Sequence, residues 1–221
     1  DFFRAIPATY GWRVSSGGPP PIRVHIHDVD LSDGQAAAVR QETGMLFAGD
    51  PGGIVSRTKL ARIAKTGDGR KPAFIRELVG SWPDEQTIVW CRFNDEQEHL
   101  TREIPGAESI DGSTPYEDRR RIIDDFKAGK VRVIVTKARL LGFGLNLQCC
   151  TRQIFSSLHD SYEEFYQAVK RSNRVGSARP LNVHIPVTDV ERPMVDNVLR
   201  KAKRVQADTE EQERTFKDAS I

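Results

Sequence analysis

Five short runs of apolar and β-branched residues mark the second half of the chain: 87–91, 107–110, 131–136, 152–157 and 181–187. Their length and the polar, Gly-bearing stretches that bound them fit buried strands. Charged segments with apolar residues at helical spacing separate these runs, so the pattern predicts a parallel sheet joined by right-handed crossovers. Upstream, Arg23-Val-His-Ile-His-Asp-Val-Asp-Leu31 alternates as a strand does, with His25 and His27 on one face. Ser32 or Asp33 then caps a helix through about Glu42.

Thr114-Pro-Tyr-Glu117 combines an N-cap Thr, Pro at the first helical position and Glu three residues after the cap. This predicts a helix running to about Ala128-Gly129. A further helix is expected from Val190 through Arg204, with the charged tail to Ile221 as its extension. Gly17-Gly-Pro-Pro-Pro21 reads as a stiff connector. Residues 49–53 and 66–72 read as loops around a basic helix carrying Arg57, Lys59, Arg62 and Lys65. That helix is either a solvated face or a phosphate contact.

Candidate chemistry gathers where strands end. The run Val131–Thr136 leads into Gly142-Phe-Gly-Leu-Asn-Leu147. In open parallel sheets ligands bind beyond the carboxyl ends of the strands, which puts Thr136, Gly142, Gly144 and Asn146 at a binding edge. Gln167, Arg171 and Arg174 are spaced i, i+4 and i+7, so on a continuous helix one amide and two guanidiniums share a face. A guanidinium fork bonds phosphate oxygens bidentately and stays charged, so that face suits a polyphosphate; the alternative is an ordinary solvated face. Gly112 and Ser113, beside the helix start, offer backbone amides to a phosphate.

Taken together, these segments resemble the C-terminal RecA-like lobe of superfamily-two helicases and translocases, and most nearly the Swi/Snf-like branch with its phage- and prophage-borne members. The resemblance runs in chain order through Thr87–Asn94, Ile110–Pro115, Val133–Lys137 with Gly142–Gln148, and Ser161–Gln167 with Arg171–Gly176. It covers residues 87–190 well and the earlier part weakly. It implies an α/β RecA-like parallel sheet flanked by helices, with an N-terminal linker and helical extension over 1–80, the RecA-like domain over 81–190 and a C-terminal charged helix over 191–221. It also implies arginine fingers at Arg171 and Arg174, nucleotide contacts at Gln167, Gly142, Gly144 and Asn146, and nucleic-acid contacts at Thr136, Lys137, Gly112 and Ser113. ATP and Mg²⁺ would be seated mainly by a second, N-terminal lobe. Duplex DNA would be gripped through its phosphates. Lys170 and Ser177 depart from residues common in the family, and the length between Thr136 and Gly142 favours the phage-type branch.

Composition adjusts this picture at a few points. With 33 basic and 31 acidic residues the net charge is +2, so any nucleic-acid contact needs a local patch. Cys91, Cys149 and Cys150 have no metal-ligand spacing and read as buried thiols of a reducing compartment. His25 and His27 could ligate a metal only with a third ligand. No run of about 18 apolar residues and no signal pattern occurs, and a cytoplasmic fragment of a longer polypeptide is expected. No Gly-x-x-x-x-Gly-Lys-Ser/Thr phosphate loop is present, so the chain alone is expected to hydrolyse no ATP. A catalytically incomplete binding scaffold and an RNA-helicase lobe are the alternatives.

Overall fold

A computed structural model of the chain describes residues 10–12, 22–47, 69–141, 146–158, 161–173 and 177–219. The elements run β1 (Tyr10–Trp12), β2 (Ile22–Asp28), α1 (Asp33–Phe47), α2 (Arg70–Ser81), β3 (Thr87–Trp90), α3 (Asn94–Glu103), β4 (Glu108–Ile110), α4 (Tyr116–Lys127), β5 (Val133–Thr136), β6 (Arg152–Phe155), α5 (Tyr162–Lys170), β7 (Leu181–Val187) and α6 (Arg192–Ala219). A 3₁₀ turn, Ala138–Leu140, follows β5. The sheet order is β1-β2-β7-β6-β3-β5-β4. Six neighbouring strands, β2 to β4 in that order, are parallel, and β1 is an antiparallel edge.

Helices cover both faces, which explains why the central strands are buried at every position and read as unbroken apolar runs. Ile88, Trp90, Ile134 and Phe155 point to one side, where they pack with Phe126 of α4, Phe165 and Val169 of α5 and Val198 of α6. Val89, Cys91, Val133, Val135 and Ile154 point to the other, against Ile75 and Leu78 of α2, Leu100 of α3 and Ile104, which caps α3.

The first expected boundary does not follow the fold. β2 pairs with β7 from Ile22↔Leu181 to Asp28↔Val187, and α2 packs on the sheet, so much of segment 1–80 belongs to the same unit. The basic helix expected around Arg57, Lys59, Arg62 and Lys65 lies outside the described residues, as does the connector at 17–21. The Ser32 cap is present: its hydroxyl takes the Gln35 N–H at 3.1 Å while the Gln35 side chain takes the Ser32 N–H at 3.0 Å. α1 runs on to Phe47, past the expected stop near Glu42.

His25 and His27 share a face of β2 as expected, and His184 of β7 joins them. His27 Nε2 lies 2.9 Å from His184 Nδ1, and the two rings stack at 5.2 Å. Burial lowers His27 to a pKa of about 4 and His184 to about 2. Both are therefore neutral at pH 7. Among the described residues no three His, Cys, Asp or Glu side chains converge as a metal ion would require.

Candidate functional site

Where β3, β5 and β6 end, the chain opens a cleft of about 230 Å³. Arg92 and Phe93 line it from the β3 exit, Lys137 and Arg139 from the β5 exit, Ser157 from the β6 exit and Glu164 from α5. This is the edge at which parallel sheets place ligands. Three cations against one carboxylate on its wall make it suited to an anion.

A buried carboxylate organises the rim. Glu96, 1% exposed in the first turn of α3, accepts the Arg92 N–H at 2.8 Å and the Phe93 N–H at 3.2 Å. Its other oxygen accepts the Ser156 and Ser157 hydroxyls at 2.7 and 2.5 Å. Two strand exits are thus fixed to each other by one side chain. Behind them Lys71 Nζ donates to the Ser156 carbonyl and to Glu191, each at 2.7 Å, which extends the polar run to the start of α6. Lys137 donates to the Asn94 side chain, and Arg92 lies over the Phe93 ring at 5.3 Å.

Several sequence-chosen residues stand differently from expectation. Thr136 is fully buried and its hydroxyl donates to the Ile110 carbonyl at 2.8 Å, so it ties β5 to β4 and does not reach the surface. Ser113 and Gly112 are exposed, but the expected free amide of Ser113 is taken: Asp111 Oδ1 accepts it at 2.8 Å, together with the Thr114 N–H at 3.0 Å. Hydrogen bonds, chiefly from the Ser113 hydroxyl, hold the Asp111 carboxyl below its usual range. An anion there would meet a carboxylate first. The helix itself begins at Tyr116, one residue later than the Thr114 cap implied, and its N-cap Pro115 makes no side-chain cap. Gly129, at φ 77°, ends it where expected.

The helix carrying Gln167 ends sooner than the i, i+4, i+7 spacing requires. α5 stops at Lys170, and Arg171 is its C-cap. Arg171 and Ser172 N–H groups turn back to the Ala168 and Val169 carbonyls at 3.2 Å, so the helical face that carries Gln167 ends at this turn. Arg174, Gly142, Gly144 and Gly176 lie outside the described residues. Gln167 is half-buried on α5, and Arg171 is 6% exposed with its guanidinium donating to the Leu141 carbonyl at 3.0 Å. Asn146 is exposed and its side chain accepts the Gln148 N–H at 3.1 Å.

Against known proteins, residues 70–176 match the model of the helicase conserved C-terminal domain. This stretch is a helicase C-terminal domain. The ATP-dependent helicase fft1 of Schizosaccharomyces pombe is 29% identical over 130 residues, which are 57% of this chain and 14% of fft1. The C-terminal part of the Fun30 ATPase domain superposes with a TM-score of 0.66 at 15% identity, over 82% of this chain and 90% of that one. The Sulfolobus solfataricus SWI2/SNF2 ATPase core in complex with dsDNA superposes at 0.60 and 21% identity, over 75% and 40%. The fold is the C-terminal RecA-like lobe seen in Swi/Snf-type ATPases. The chain spans about one seventh of the length of fft1.

Sequence reasoning named Lys137 but passed over Arg92, Arg139 and Glu96. The same carboxyl-edge rule that chose Thr136 points to Arg92, which follows β3 directly. Glu96 carried no signal, because a Glu in a first helical turn is ordinarily a solvated dipole partner.

Proposed function

We propose that this chain is the C-terminal motor lobe of an ATP-dependent DNA translocase, working across a cleft from an N-terminal lobe that carries the phosphate loop. The observation that carries the reading is the cationic cleft of Arg92, Lys137 and Arg139 at the carboxyl edge of a helicase C-terminal domain.

Nucleotide would lie between the lobes, near Gln167, Gly142, Gly144 and Asn146, with Arg174 as the arginine finger. Such fingers accelerate phosphoryl transfer by about 10³ to 10⁵. Mg²⁺ would neutralise phosphate charge from the other lobe, and no residue of this chain is assigned to it. DNA phosphates would meet Arg92, Arg139 and the Lys137 region. Backbone contacts of this kind carry little sequence information. That DNA is the substrate gains support from the duplex bound to the Sulfolobus protein. Opening and closing of the lobes with each ATP would then shift the cleft along the strand. The cytoplasmic setting and the phage-type branch rest on sequence alone.

Phosphate release by this lobe joined to its ATP-binding partner, with duplex DNA, single-stranded DNA or RNA added, tests the proposal. Stimulation by duplex is expected. Stimulation by RNA alone would favour an RNA helicase, and binding without turnover would favour a scaffold.

A further inference from the structure

Sheet bonding carries β3 as far as Cys91, whose N–H donates to the Thr136 carbonyl at 2.9 Å. The next two N–H groups, of Arg92 and Phe93, turn to one carboxylate oxygen of Glu96 at 2.8 and 3.2 Å. Both residues line the cleft, with the Arg92 guanidinium over the Phe93 ring at 5.3 Å. The backbone that aims Arg92 is therefore set by a side chain in the first turn of α3.

Reaching back to the N–H that precedes a helix is ordinary for a Glu at its third position, as Glu96 is after the Phe93 cap. Glu96 does more. Its second oxygen accepts the Ser156 and Ser157 hydroxyls, 60 and 61 positions away, at 2.7 and 2.5 Å. That far side is itself fixed by backbone, since the Trp90 carbonyl accepts the Ser156 and Ser157 N–H groups at 3.0 and 3.3 Å, and Lys71 Nζ holds the Ser156 carbonyl at 2.7 Å. A carboxylate only 1% exposed is costly unless its oxygens are used, and four donors use them here. Glu96 thus refers Arg92 and Phe93 to a rigid point at the β6 exit.

We infer that Glu96 is a positioning residue for the cationic cleft: it meets no phosphate itself, but holds the Arg92–Phe93 backbone so that the Arg92 guanidinium is presented to one. The inference rests on the function proposed above. An acidic side chain then strengthens the grip on a polyanion, the opposite of what its charge alone would do.

Fluorescence anisotropy of a labelled duplex, titrated with this chain at several salt concentrations, tests it. Glu96→Leu should weaken binding severalfold and lower the salt slope by about one, as loss of one phosphate contact does. Glu96→Gln keeps an oxygen for the two N–H groups and an amide that the hydroxyls can accept from, so it should retain most of the affinity. Both variants remove the same charge, so a purely Coulombic role would make both bind more tightly. Adding Arg92→Ala to Glu96→Leu should cost little more, whereas adding Arg139→Ala should cost its full amount. Binding undiminished in Glu96→Leu, or losses that simply add with Arg92→Ala, would overturn the inference. Should Glu96→Leu fail to fold, amide exchange of the wild type decides: a slow Arg92 N–H is expected, and a fast one overturns it. If the wild type binds no duplex, the motor reading fails, and Arg92 exchange still judges Glu96: about tenfold faster in Glu96→Leu is expected, and an unchanged rate overturns it.

Discussion

Lys71 and Glu191 pair at 2.7 Å with their side chains 1% and 2% exposed. The first residues of α2 and the entry to α6 meet through this contact, 120 positions apart. Thr188 adds its hydroxyl to the same Glu191 oxygen at 3.0 Å, and Lys71 also serves the Ser156 carbonyl. Removing one partner strands a buried charge. Lys71→Met should therefore cost about 3–5 kcal/mol of unfolding free energy. In urea titrations, Lys71→Met combined with Glu191→Leu should lose less than the sum of the two single losses.

Arg152 is another internal ion. Its guanidinium reaches the Leu78, Val79 and Trp82 carbonyls at 3.1–3.3 Å and the Thr87 hydroxyl at 2.7 Å, so it caps the C-terminus of α2 from the floor of β6. Arg152→Met leaves several carbonyls without a donor and should cost on the order of 3 kcal/mol. Arg152→Lys should recover only part of this in the same denaturation experiment, because an ammonium lacks the fork.

The stacked histidines give the fold an acid sensitivity. His27 and His184 stay neutral down to about pH 4 and about pH 2 when folded, but take up protons near pH 6.5 when unfolded. Their stabilisation is complete above pH 6.5 and is lost as pH falls toward 4, at up to about 1.4 kcal/mol per pH unit for each ring. Urea midpoints between pH 7 and pH 5 should fall accordingly, and His184→Gln should flatten the fall. An equal slope in that variant would remove His184 from this role.

At the cleft, Arg92 and Arg139 are the side chains assigned to phosphate. Arg92→Ala or Arg139→Ala should weaken duplex binding for all sequences alike and lower the salt slope by about one. A loss confined to particular sequences would mean base readout instead.

Much of the architecture is legible in the sequence, since strands covered on both faces carry unbroken apolar runs such as Val133–Thr136. The Ser32 cap was readable because Ser and Gln at that spacing bond locally. Interactions that span the chain were not. Lys71, Glu96 and Arg152 have ordinary surface residue types, and only partners 60 to 120 positions away explain their burial. The end of α5 was hidden for the same reason: Gln153 and Leu147, from other segments, take up its last carbonyls. The Asp111 carboxylate over the Ser113 amide shows the reverse failure, in which a local bond was overlooked.

The most direct measurement is DNA-stimulated phosphate release by this lobe joined to its ATP-binding partner, with Arg174→Ala alongside. Strong stimulation by duplex DNA is expected, nearly abolished in Arg174→Ala while duplex affinity is kept. Turnover unchanged in that variant, or absent from the wild type, would contradict the motor reading.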